Sequence, residues 1–126
     1  MAGAAPSAVR GGARLSRQPR GDAVRLGDIA AAARRIGEYV EGGITPFLKS
    51  TMAQDAVIRQ LEVIGEAAGN VSETLRKSHP EVPWRAMRGF SSFAKHEYWR
   101  VDLKLVWKAA QECRSIRATV DRIRVD

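Results

Sequence analysis

One cysteine, Cys113, is all that the 126-residue sequence contains. A lone thiol excludes an internal disulfide and a cysteine-built metal site. Cys113 falls on the apolar side of a helical pattern and reads as core packing. No apolar run approaches the ~20 residues of a membrane span. The apolar stretch of roughly 7–15 residues that marks a secretory signal is also missing. Strand-like alternation, a glycine-rich phosphate loop and an internal repeat are absent as well. These gaps leave a single helical domain without covalent staples, with a cytoplasmic location expected.

The length suits one core and not two. Hydrophobic residues at 44% and charged residues at 28% are ordinary for a globular chain. A net charge of +7 points to an acidic partner, nucleic acid first. Part of that charge is local. Residues 1–22 hold Arg10, Arg14, Arg17 and Arg20 against Asp22, a net of +3, which leaves +4 to residues 23–126. A solvated charged surface accounts for this balance as readily as attraction to RNA does. Residues 1–22, rich in Ala, Gly, Ser and Arg, are too poor in large apolar groups to offset their ordering entropy. They are expected to form a disordered basic tail, with the domain at 23–126.

Leu26, Ile29, Ala30, Ala33, Ile36 and Val40 recur every three or four residues and predict a first amphipathic helix, ended by Gly42-Gly43. Thr45-Pro46-Phe47 reads as a loop. A longer helix is predicted from Met52 to Lys77, with Val57, Leu61, Ile64, Ala68, Val71 and Leu75 as its seam. Gly65 inside it costs ~1 kcal/mol relative to Ala, so close approach of a neighbouring helix is its expected reason. Ser78-His79-Pro80 stops this helix, and His79 reads as a solvated loop residue. Pro83 opens a short helical turn. Asp102 caps a last helix whose stripe runs through Leu103, Val106, Trp107, Ala110, Cys113, Ile116, Val120 and Ile123. Three long helices and a short segmented third one give an all-α, four-helix-bundle expectation.

The segment between the second and last helices carries Pro80-Glu81-Val82-Pro83-Trp84, then Gly89, then His96-Glu97-Tyr98, then Val101-Asp102 and Trp107. With Ala56 to Leu61 and Ile64 to Ala68 upstream, this order and spacing resembles the HepT-like toxins, small HEPN-fold ribonucleases of prokaryotic toxin–antitoxin pairs. The resemblance covers about residues 24–124. Because it begins near Val24, a start downstream of Met1 is a simpler expectation than an organellar leader.

The resemblance implies metal-independent RNA cleavage from an Arg, four to six residues and then His-x-Tyr. Cleavage through the 2′-OH needs a base for that proton and a cation for the phosphate. Histidine suits the first role and arginine the second. His96 matches the family's histidine and Tyr98 its tyrosine. Ser91, followed by Ser92, stands where the arginine belongs, and a hydroxyl supplies no fixed charge. Arg88 is the nearest substitute, seven residues short of His96; on one continuous helix the two would lie about 80° apart. Arg85, Lys95 and Arg100 are further cations, and Lys95 and Arg100 are the expected RNA contacts. Taken alone, His96 reads as a structural histidine; within the resemblance it takes an active-site position. Tyr98 is the implied acceptor of AMP from a partner MntA-like nucleotidyltransferase antitoxin, whereas Tyr39 has no such context. A homodimer is implied too, with no metal or cofactor. The alternative is a degenerate helical protein that only binds RNA or its antitoxin. Trp84, Trp99 and Trp107 are expected packing anchors, with base stacking open to Trp99 alone.

Overall fold

The structure, a computed structural model, describes residues 19–96 and 102–125. Among the described residues seven helices follow in order: α1 Pro19–Tyr39, α2 Ile44–Lys49, α3 Thr51–Gly69, α4 Glu73–Ser78, α5 Trp84–Gly89, α6 Ser92–His96 and α7 Leu103–Asp121. No strand occurs among the described residues. The all-α, HEPN-like architecture expected from the sequence is the one observed.

The predicted apolar stripes are the core. Ile29 and Ile36 of α1, Val57, Leu61 and Ile64 of α3, and Val106, Cys113 and Ile116 of α7 are all essentially inaccessible to solvent. α1 lies between α3 and α7, and α3 also carries α5 and α6. Burial of this one shared seam, rather than propensity, holds helices of such length in place. Trp107 anchors the base of α7 against Phe47 of α2, with ring centroids 5.3 Å apart at 47°. Asp102 caps α7 as expected, its carboxylate accepting from the Lys104 N–H at 3.1 Å.

Three expectations need correction. The helix predicted from Met52 to Lys77 is two helices, broken at Asn70–Ser72. Ser72 caps α4 by accepting from the Leu75 N–H, while Asn70 donates to the Glu66 carbonyl at 2.9 Å. The apolar seam runs through the break, with Val71 buried and Leu75 half-buried, so periodicity alone reads as one helix. Thr45-Pro46-Phe47 lies in α2, not in a loop. Pro46 sits in the first turn, where its missing N–H costs nothing. Gln54 donates to the Phe47 and Leu48 carbonyls and so finishes that short helix. Lastly, α1 begins at Pro19, upstream of the boundary expected from composition. Its Asp22 is buried and accepts from the Ser72 N–H at 2.8 Å and the Ser72 hydroxyl at 2.6 Å. That clasp ties the start of α1 to the end of α3 and makes the pair antiparallel.

Candidate functional site: the corner between α5 and α6

The motif segment folds as two short helices laid across α3. Pro83 opens α5, and the Trp84 indole N–H donates to the His79 carbonyl at 2.9 Å, fixing the loop that leads in. Met87, Phe90 and Phe93 turn inward and are buried, while Arg85, Arg88, Lys95 and His96 are exposed. The apolar side therefore sets the orientation and the cations face solvent.

Helix α5 ends at Gly89 and α6 begins at Ser92. Arg88 and His96 thus sit on separate helices, and the angle drawn from one continuous helix does not apply. The two serines at the motif positions close this corner. Ser91 donates its hydroxyl to the Arg88 carbonyl at 3.1 Å, and Ser92 donates to the Gly89 carbonyl at 2.7 Å. Each satisfies a carbonyl that the end of α5 would otherwise leave without a helical partner. Where the sequence leads one to expect the motif arginine, this chain has a capping group.

Gly65 explains how close the corner comes. A Cβ built there would lie 2.7 Å from the Ser91 nitrogen, 2.9 Å from the Ser91 Cβ and 3.1 Å from the Met87 carbonyl oxygen. The expected close approach at Gly65 is therefore real, and its partner is the backbone of the corner itself. Sequence reading missed both this pairing and the capping by Ser91 and Ser92. The Ser-Ser pair after a glycine was the available signal for the second.

Of the other candidates, His79 caps the end of α4 in a loop, with its Nδ1 3.2 Å from Glu81 Oε2. A backbone hydrogen bond and the His79 side chain hold the Glu81 carboxyl below its ordinary range. Cys113 is buried in α7, and desolvation pushes its thiol up to about 12, which fits packing and not chemistry. Tyr98, Trp99 and Arg100 lie outside the described residues. Among the described residues no group of three or more His, Cys, Asp or Glu side chains could hold a metal ion. No helix among them is long and apolar enough to cross a membrane.

Comparison with known proteins bears directly on this corner. The family described as "Ribonuclease HepT-like" matches residues 29–123, a span that includes the whole motif region. The chain belongs to the HepT-like ribonuclease family. It is 41% identical over 88 residues to a Thermococcus cleftensis protein named "Probable ribonuclease HepT", covering 69% of this chain and 80% of that one. A Methanocaldococcus jannaschii protein named "Putative RNase" is 35% identical over 88 residues, covering 69% of this chain and 81% of the relative. A Caldanaerobacter subterraneus protein of the same description is 36% identical over 72 residues, covering 56% and 64%. No solved structure matches.

Proposed function

We propose that this protein is an RNA endonuclease, the toxin of a HepT/MntA-type toxin–antitoxin pair, acting at the α5–α6 corner without metal. One observation carries the reading. The family match runs through the corner, and there His96 and Arg88 are both exposed at the ends of consecutive helices clamped on α3. In the proposed reaction His96 takes the 2′-OH proton and the freed oxygen attacks the adjacent phosphorus; the P–O5′ bond breaks, leaving a 2′,3′-cyclic phosphate and a 5′-hydroxyl that takes its proton from water. Arg88 balances the charge that develops on the phosphate oxygens, and Lys95 and Arg100 hold the flanking backbone. A homodimer would face two such corners across one cleft.

A second reading has its own support. Ser91 stands at the arginine position with its hydroxyl engaged at the Arg88 carbonyl, as in a domain that binds RNA or its antitoxin without cutting. Two substitutions separate the readings on structured RNA in chelator. In the endonuclease, Arg88→Ala should slow cleavage on the order of 10²–10³-fold, the usual loss for one charge-stabilising donor. In the degenerate domain Arg88→Ala changes nothing, and Ser91→Arg creates cleavage where there was none.

Tyr98 is the proposed site of neutralisation. AMP attached there adds a bulky anion beside Lys95 and Arg100 and repels RNA, as a phosphate group would. Co-expression with the cognate nucleotidyltransferase should add AMP mass at Tyr98 and not at Tyr39. An unmodified Tyr98 in a purified complex would leave blocking by contact as the better account.

A further inference from the structure

An open groove of about 370 Å³ runs between α4 and α5, lined by Glu73, Arg76, Lys77, Trp84, Arg85 and Arg88. Its cations come from two helices. Arg76 and Lys77 end α4, and Arg85 and Arg88 lie three residues apart along α5. Four positive groups face one carboxylate, so the groove keeps a surplus of +3. Little of this charge is neutralised within the fold. Lys77 Nζ lies 3.7 Å from Glu73 Oε2, a loose surface pair of small net value. Arg76 donates one N–H to the Val71 carbonyl at 2.8 Å and keeps its remaining donors. Arg85 and Arg88 have no carboxylate within ion-pair distance among the described residues.

The walls are fixed in place. Between the two helices, the Val82 N–H and the Trp84 indole N–H both donate to the His79 carbonyl, and Val82 is buried. Trp84 forms the floor, but only 8% of it is exposed, so it offers no ring face for a base to stack on. A rigid trough with cations on two walls and no stacking platform suits a phosphodiester backbone rather than bases. Among its lining residues is Arg88, one residue before the end of α5, where the chain turns into the corner that leads to His96.

We infer that the α4–α5 groove is a sequence-independent track for the backbone of single-stranded RNA, leading to the α5–α6 corner. The choice of RNA as the anion rests on the ribonuclease reading; the groove itself does not. The test uses the full chain carrying His96→Ala, with chelator, so that binding is read without turnover. A labelled RNA of ~12 mixed nucleotides is followed by fluorescence anisotropy between about 50 and 200 mM salt. Lys77→Gln with Arg85→Gln should weaken binding at least about tenfold and flatten the slope of log K against log salt by about 1.4, near 0.7 for each lost phosphate contact. Arg34→Gln with Arg35→Gln, an equal loss of charge on the exposed side of α1, should leave that slope near the parent's. An unchanged slope in the groove variant overturns the inference, as does an equal loss in the α1 variant or a parent that does not bind RNA. If the His96→Ala chain binds through the groove while the chain with His96 intact cuts no RNA, the ribonuclease reading falls and the groove stands.

Discussion

At Gly65 the balance between helix propensity and space is settled by the backbone of Ser91. Alanine would add helix propensity of up to ~1 kcal/mol. Its Cβ would also stand 2.7 Å from a backbone nitrogen that cannot swing aside as a side chain can. Overpacking of this kind costs about 1–3 kcal/mol, so after the propensity gain Gly65→Ala should lower stability by up to about 2 kcal/mol in urea unfolding. A stabilised variant would mean that the corner does not press on α3. Cys113 makes a second prediction. Its folded thiol is raised from 9.0 to about 12, so the unfolded chain gives up that proton first as pH rises. Stability from this group is full below about pH 9 and falls towards pH 12, by up to ~1.4 kcal/mol per pH unit. Cys113→Ala should show a shallower alkaline loss than the parent. In the native parent the thiol should resist alkylation at pH 8 and react once unfolded.

Helices in this chain were legible where a stop signal and an apolar stripe agreed. Pro80, Pro83 and Asp102 mark boundaries that the fold keeps, because proline restricts its neighbour and aspartate caps free N–H groups. The α3–α4 break was not legible, since Val71 and Leu75 continue the seam of α3 across it. Only Asn70 and Ser72, both turn and cap formers, hinted at it. What secures the break comes from 50 residues away: Asp22, whose carboxylate takes two hydrogen bonds from Ser72. Asp22→Ala would leave both Ser72 donors short of their partner at a half-buried position. The expected loss is about 1–3 kcal/mol, with Asp22→Asn losing less because one acceptor remains. A loss under about 0.5 kcal/mol in chemical denaturation would show that the clasp is incidental.

Taken whole, the molecule is a helical platform, α1 with α3 and α7, that carries α5 and α6 on α3, and the cations of α4 and α5 line one groove. The family and its fold were readable because the segments from Ala56 to Trp107 stand in the order and spacing of the resemblance, so no single position had to carry it. The chemistry was harder to read. Ser91 stands where the resemblance leads one to expect the motif's charge, and the place of Arg88 relative to His96 is set by a bend at Phe90–Ser91 that no periodicity encodes. Tyr98 and Arg100 lie outside the described residues, so their part in the site rests on sequence alone. The central claim is that His96 makes this corner a metal-independent ribonuclease, and cleavage of structured RNA in chelator tests it most directly. The parent should cut and His96→Ala, equally folded by circular dichroism, should not. Equal cleavage by both proteins, or none by either, would contradict it.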